Sequence, residues 1–256
     1  MFTTNPFAPL TAFVSPDLMQ GYIVLMVLAV VIGTAFDLLR DNKLTFFLQE
    51  RQRTKAAAKR PLGGADIASI AARTLAHDIA TFGEFCNRQR RISHVLMFYG
   101  FVTYLVTSVV MVFGYPADPR PPAVLPLLWN LGVVMALVGG YWFFFFLRVN
   151  VVHDGHPPWR LVRADLFIVT LLASLTFALV FEFMAMSGNT MATRVVAGLY
   201  LFFTTLLFVS VPWSKFAHMF YKPVVAFQKR QEEADGSSSL PTPTAPRGER
   251  CPHSHT

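Results

Sequence analysis

Two of the seven histidines lie where an apolar run meets a charged connection, and these two are the residues best suited to do chemistry. His94 lies at the start of one run, in RRISHVLMFYGF, and His218 lies at the end of another, in PWSKFAHMFYKP. An ionisable side chain at membrane depth is costly, which makes it a candidate functional residue. Two imidazoles at a similar depth could ligate one haem iron from opposite faces, which gives a low-spin centre suited to electron transfer. The alternative is two unrelated histidines at the membrane interface.

Basic residues accompany both histidines. Arg90 and Arg91 precede His94, and Lys215 precedes His218. These cations could contact the propionates of a haem, because charge-assisted bonds to carboxylates are strong. Arg and Lys are also expected at a cytoplasmic membrane interface that holds no cofactor. The three cations are therefore candidate propionate contacts, with plain membrane topology as the alternative interpretation.

Four further residues are weaker candidates. His77 lies in a segment with helical spacing of apolar residues, where a surface histidine is the simpler interpretation. His153 and His156, in the loop sequence HDGHPPW, have a spacing that suits a metal, although a polar turn is the simpler interpretation. Glu182, in the fourth apolar run, could take up a proton from a quinol or be an interfacial carboxylate.

The composition is that of a membrane protein. Hydrophobic residues make up 54% of the chain and charged residues 14%, whereas a soluble globular protein has roughly a quarter charged. The two cysteines, Cys86 and Cys251, are too few for a four-ligand zinc or iron–sulfur site. Any metal would therefore be held mainly by nitrogen or within a cofactor. The net charge of +7 could suggest nucleic acid as a partner, but its distribution argues for membrane topology and no nucleic acid.

Five apolar runs are long enough to cross roughly 30 Å of hydrocarbon as helices. They are 18–39, 94–114, 123–147, 164–186 and 195–214. Of the 22 Lys and Arg residues, all but Arg120 and Arg194 fall in connections on one side. By the positive-inside rule, that side is cytoplasmic. The sequence therefore predicts an all-α integral membrane protein, a bundle of five transmembrane helices with its N-terminus outside and its C-terminus in the cytoplasm.

The runs divide the chain into five parts. These are an external N-terminal segment (1–17), the first transmembrane helix (18–39), a basic cytoplasmic connection that contains an amphipathic helix in 64–85 (40–93), a four-helix haem-binding membrane core (94–230) and a disordered cytoplasmic tail (231–256). The tail is predicted to be disordered because it is rich in Ser, Pro and Thr.

Two stretches resemble known haem proteins. VPWSKFAHMFYKP resembles the end of the last helix in the respiratory nitrate reductase gamma-subunit family. CNRQRRISHVLMFYGFVTYLVTSVV looks more like two relatives of that family: the membrane domain of the quinone-interacting membrane-bound oxidoreductase complex, and the membrane anchor of adenylylsulfate reductase in sulfur-oxidising bacteria. The resemblance covers roughly 84–225. It implies a five-helix protein that binds haem b and exchanges electrons with quinone.

The chain departs from the nitrate reductase pattern in a paired way. That pattern has four haem ligands, a pair about ten residues apart on the second helix and a pair about eighteen apart on the fifth. Counting from His94 reaches Tyr104, and counting back from His218 reaches Tyr200. The resemblance thus implies that both ligands of the haem on the non-cytoplasmic side are missing and both ligands of the cytoplasmic-side haem are present. It predicts one haem b, with His94 and His218 as axial ligands of its iron.

These observations predict an electron-transfer protein with no visible catalytic site of its own. It would lie in the bacterial inner (cytoplasmic) membrane and pass electrons between a cytoplasmic iron–sulfur or flavin oxidoreductase and the quinone pool. The resemblance makes adenylylsulfate reductase the preferred partner, within sulfur metabolism. Two alternatives are a membrane domain of another sulfur- or heterodisulfide-type reductase complex and a haem-free structural anchor. A transporter is disfavoured because neither inverted repeats nor pairs of broken helices are visible in the sequence.

Overall fold

The computed structural model describes residues 2–40, 43–76, 87–148, 155, 157, 159–162, 165–211 and 218–238. The chain divides into two compact units. The first comprises Met1–Thr34 and Ile92–Lys215, and the second comprises Ala35–Arg91 and Phe216–Thr256.

Helices and their connections account for all of the described residues. A 3-10 helix, Ala8–Ala12, precedes the α-helices, and a π-helical turn, Phe143–Leu147, continues α5. The α-helices are α1 (Pro16–Arg40), α2 (Lys43–Ala57), α3 (Gly64–Arg73), α4 (Arg88–Gly114), α5 (Val124–Trp142), α6 (Leu166–Ser187), α7 (Thr190–Ser210) and α8 (His218–Asp235).

Five helices are long and apolar enough to cross a membrane. They cover Pro16–Asp37, Arg88–Gly114, Val124–Leu147, Leu166–Ser187 and Thr190–Ser210. The prediction of an all-helical chain with five candidate membrane spans is confirmed, and each span overlaps its predicted apolar run.

The span boundaries differ from the apolar runs where a side chain caps a helix. The Oδ1 atom of Asn87 accepts the backbone N–H groups of Gln89 (2.9 Å) and Arg90 (3.2 Å), so α4 begins before the apolar run does. Gly188, with φ of 74°, ends α6 in the left-handed conformation. Asn189 then caps α7, accepting the N–H of Ala192 at 3.1 Å, and α7 begins at Thr190 instead of 195.

Helices α4 and α5 touch through a seam of three glycines: Gly100, Gly132 and Gly139. A Cβ atom added at Gly100 would lie 2.5 Å from a backbone nitrogen of α5, and one added at Gly132 would lie 2.7 Å from a backbone nitrogen of α4. At Gly139 it would lie 2.6 Å from the carbonyl oxygen of Ser93, whose hydroxyl donates to the Gly139 carbonyl at 3.2 Å. The glycine seam therefore brings the two backbones into direct contact, as small residues do in membrane helix pairs.

Side chains join α6 to α7. The hydroxyls of Ser174 and Thr204 are hydrogen-bonded at 2.7 Å, and the rings of Phe177 and Phe203 stack with centroids 5.4 Å apart. Each hydroxyl of a Thr or Ser buried among apolar side chains needs a partner, and this contact supplies one. Helices α6 and α7 therefore form a helical hairpin closed by the Gly188–Asn189 turn.

A buried ion pair fixes the junction between the π turn and α6. Arg148 donates from Nη1 to Oδ2 of Asp165, and both side chains are buried. The guanidinium also lies over the Phe144 ring, 4.5 Å from its centroid, and donates to the carbonyl oxygen of Arg160. A buried pair held by several bonds is costly to break from one side. This pair therefore holds the end of α5 to the start of α6.

The N-terminal segment folds onto the connection between α4 and α5. Asn5 donates from Nδ2 to the carbonyl oxygens of Tyr115 (2.8 Å) and Asp118 (3.0 Å), and its backbone N–H donates to that of Pro119 (3.2 Å). The ring of Phe7 meets Trp129 edge to face at 6.0 Å. We call residues 2–15 the N-terminal clasp.

In the second unit, the end of α2 is tied to the end of α8. Thr54 donates to Glu232 at 3.1 Å, and the backbone N–H groups of Lys59 and Arg60 donate to the carbonyl oxygen of Asp235 at 2.9 and 3.1 Å. Gly236, with φ of 75°, ends α8. The prediction of disorder from residue 231 is therefore wrong as far as Asp235, where these bonds satisfy the last carbonyl of a helix, and residues 239–256 lie outside the described residues.

The predicted amphipathic helix in 64–85 is present in part. It is described as α3, and Asp66 in its first turn accepts the backbone N–H of Gly63 at 3.2 Å and a bond from Arg60 at 3.2 Å. Residues 77–86, which include His77, lie outside the described residues.

Candidate functional site

Tyr104 of α4 and Tyr200 of α7 meet in the core of the first unit. Their hydroxyl oxygens are 2.6 Å apart, although the residues are 96 positions apart in sequence. The side chains are only 3% and 5% exposed. These are the two positions at which the resemblance to the nitrate reductase gamma-subunit family would place the ligands of a second haem.

Neighbouring side chains hold the two phenols in place. The ring of Phe181 lies nearly parallel to that of Tyr200, at 11° and 6.4 Å, and Trp129 lies 5.7 Å from the ring of Tyr104. The indole N–H of Trp129 donates to the Ser108 hydroxyl at 2.9 Å, and that hydroxyl donates to the carbonyl oxygen of Tyr104 at 2.7 Å. A hydrogen-bonded network among packed rings gives the pair one preferred arrangement.

The phenol contact decides what fits at this level of the bundle. A macrocycle between two axial ligands separates their donor atoms, whereas the oxygens of Tyr104 and Tyr200 are in direct hydrogen-bonding contact. The residues at this level therefore do not fit a haem.

His94 lies in the second turn of α4 and is half-buried. Its ring is 5.0 Å from that of Phe143, in the π turn after α5, with the planes tilted by 33°. Arg90 and Arg91 are exposed and precede His94 by four and three residues, a spacing that puts all three side chains on one side of the helix. This arrangement fits an imidazole ligand with cations nearby for acidic substituents.

The other predicted ligand falls in a different part of the chain. His218 is the first residue of α8, in the second compact unit, and its side chain lies outside the described residues, as does Lys215. His153 and His156 lie outside them too. The pairing of His94 with His218 therefore stays a prediction.

Glu182 lies in the core between α5 and α6, not at an exposed interface. Its Oε1 atom accepts the Nδ2–H of Asn130 at 3.2 Å, and the same amide donates to the carbonyl oxygen of Pro126 at 3.1 Å. Glu182 and Asn130 are both buried. Asn130 was not recognised from sequence, because a single amide in an apolar run gives no sign of its partner on another helix.

A cavity of about 350 Å³ lies beside the two phenols. It is enclosed by the N-terminal clasp, α1, α4 and α7, and its walls are apolar apart from a few hydroxyls. One of these belongs to Tyr22 of α1, whose hydroxyl lies 3.0 Å from that of Thr205 and 3.3 Å from the carbonyl oxygen of Leu201. The contribution of Tyr22 was not foreseen, because it depends on how α1 packs against α7.

Within the described part of the chain, no group of three or more His, Cys, Asp and Glu side chains is placed to hold a metal ion. Two histidines that ligate a haem iron would not form such a group. Comparisons with protein-family models, with curated proteins and with solved structures give no match to this chain.

Proposed function

We propose that this chain is a haem b-binding membrane subunit that carries electrons between a soluble redox enzyme and the quinone pool. The contact between Tyr104 and Tyr200 is the observation that carries the proposal. It brings α4 and α7 together at the two positions that the resemblance to the nitrate reductase gamma-subunit family pairs with each other.

The register of the two helices supports this assignment. From Tyr104 back to His94 is ten residues, or about 15 Å of helix. In α7, ten residues on from Tyr200 lead to Ser210, at the last turn of the helix and in the direction of His218. Because consecutive spans alternate in direction, both paths lead from the phenol pair toward the same end of the bundle.

The residues have distinct roles in this proposal. His94 and His218 are the axial ligands, and Arg90, Arg91 and Lys215 are positioned in sequence to pair with propionates. A haem with two imidazole ligands supplies a one-electron carrier with no open coordination position. The chain itself binds and orients the haem, and keeps water from the surrounding helices.

The orientation and the partner follow from charge. The Lys- and Arg-rich connections, which include α2 and α3, would face the cytoplasm of a bacterial cell, with the N-terminus outside. That basic face would dock a soluble iron–sulfur or flavin oxidoreductase, for which adenylylsulfate reductase is the preferred candidate. Reporter fusions after Arg60 and Arg160 should then be cytoplasmic and a fusion after Pro119 external. A cytoplasmic signal at Pro119 would contradict the assigned orientation.

One observation favours a second candidate, a haem-free structural anchor for the soluble enzyme. The contact of His94 with Phe143 gives the imidazole an aromatic partner without any metal. In that case the two histidines would be interfacial residues, and the basic face alone would account for partner binding.

An absorption spectrum of the purified protein separates the two candidates. Oxidised and dithionite-reduced samples should give a b-type difference spectrum, and a haem assay against protein concentration should give one haem per chain. A chain without haem would leave the structural anchor. A ratio of two would contradict the closed arrangement at Tyr104 and Tyr200.

A further inference from the structure

The cavity beside the phenol pair has the features of a site for a lipophilic ligand. Its volume of about 350 Å³ lies within the range of small-molecule sites, which are mostly apolar with a few placed polar groups. Leu18 and Val27 of α1 line it, yet they remain 67% and 54% exposed. The cavity therefore reaches the surface that α1 presents to lipid, and a ligand can enter it sideways from a membrane.

The polar groups of the cavity are hydroxyls gathered at one wall. Tyr104 and Tyr200 share one O–H···O bond, so the second phenol hydrogen of the pair can be donated to an acceptor on a ligand. The Tyr22 hydroxyl also lines the cavity and can donate. A ligand with carbonyl oxygens on an otherwise apolar body matches this wall, whereas a charged or strongly polar ligand does not.

Two aromatic side chains bound the cavity at opposite ends. Phe7 lies in the N-terminal clasp, and Phe208 lies in α7. Phe208 is 6.5 Å from Phe101, which in turn is 6.3 Å from Tyr104. Phe101 is seven residues from His94, two turns along the same side of α4. The end of the cavity at Phe208 therefore adjoins the helix side that leads to the proposed haem ligand.

We propose that this cavity binds the ring and first prenyl units of a membrane quinone, with the hydroxyls of Tyr22 and the Tyr104–Tyr200 pair facing its carbonyl oxygens. This inference rests on the proposed function and gives it a location for electron exchange. A quinol bound here releases two electrons, which pass singly to the haem and on to the soluble enzyme. Its two protons leave to water.

The first test fills the cavity without touching the haem ligands. Val109 lines the cavity, whereas its neighbour Val110 is 40% exposed and lies outside the lining, so Val109→Trp and Val110→Trp are a matched pair on one helix. Haem reduction by decylubiquinol or a prenylated naphthoquinol is followed in proteoliposomes by stopped-flow absorption. We expect at least a tenfold slower rate for Val109→Trp and a change below twofold for Val110→Trp. Dithionite should reduce both variants fully.

The second test does not depend on haem. A photoreactive azidoquinone should label peptides of α1 and α4 in the wild type and in Val110→Trp, and labelling should be lost in Val109→Trp. A phospholipid acyl chain that copurifies in the cavity and that quinone does not displace would overturn the proposal. Labelling without haem would refute the proposed function and leave the quinone site standing. Haem without labelling, or equal loss in both variants, would refute the site alone.

Discussion

The two sides of α4 are built from different materials. Toward α5 the contact is the glycine seam, where the backbones touch and a single added carbon would collide. Toward α7 the contacts are large side chains, with Tyr104 bonded to Tyr200 and Phe101 facing Phe208. The first side leaves no volume for a ligand, and the second borders a cavity of about 350 Å³. Substitutions on the seam side should therefore change folding, and those on the aromatic side should change ligand binding.

The largest effect is expected on the ligand-binding side. His94→Ala and His218→Ala should each abolish the reduced-haem spectrum or convert it to high spin, because loss of one axial imidazole opens the iron. Gel filtration should still show folded protein, since neither residue belongs to the glycine seam. The matched controls, expected to keep a low-spin spectrum, are His77→Ala, His153→Ala and His156→Ala. A low-spin spectrum in His94→Ala would refute the assignment of this ligand.

The seam side depends on where α5 ends, and Asp165→Asn tests that dependence. The substitution leaves the Arg148 guanidinium buried without its carboxylate, so the free energy of unfolding should fall by about 3–5 kcal/mol. Asp66→Asn is the control, because its pair with Arg60 is exposed and should contribute at most about 1 kcal/mol. Both values can be measured by unfolding in mixed detergent micelles. Equal losses would mean that the buried pair does not hold the junction.

A smaller effect is expected within the seam itself. Gly132→Ala forces α4 and α5 apart, and overpacking of this kind costs about 1–3 kcal/mol of unfolding free energy. Gly198→Ala on α7 is the control, because the added carbon meets nothing within 4 Å. There the loss of backbone freedom in the unfolded chain should raise stability by about 0.5–1 kcal/mol. Opposite signs for the two substitutions would support the comparison, and a stabilising Gly132→Ala would contradict the close contact.

The smallest effect is expected for the phenol pair. Tyr200→Phe removes one hydrogen bond and keeps the ring, so it should cost about 1 kcal/mol of unfolding free energy. Adding Tyr104→Phe should cost little more, because the bond is already lost, and a double-mutant cycle measures this coupling. Additive losses would show that the two hydroxyls act independently.

Hydropathy alone predicted the number of spans, since crossing a membrane requires length and apolar character that any run displays by itself. It could not place the boundaries at Asn87 and Asn189, because capping depends on local backbone bonds. It also could not identify the seam. Of two glycines in apolar runs, Gly100 is in the seam, whereas Gly198 has open space around it.

The pairing of Tyr104 with Tyr200 could be predicted only through a resemblance to a known family. Nothing in either residue's own neighbourhood points to a partner 96 positions away. The cavity was not predicted at all. Its walls come from four separate segments, and a void is a property of how segments pack, which an apolar run with similar residues on all sides does not encode.

The N-terminal clasp sets an order of events during biosynthesis. Asn5 leaves the ribosome long before Tyr115, Asp118 and Pro119, so its three hydrogen bonds can form only after α4 has been inserted and the next connection synthesised. Until then α1 is present in the bilayer without the wall that the clasp contributes to the cavity. The first segment made is therefore among the last to dock, and during translation the cavity passes through a stage in which it is open at the end that Phe7 later closes.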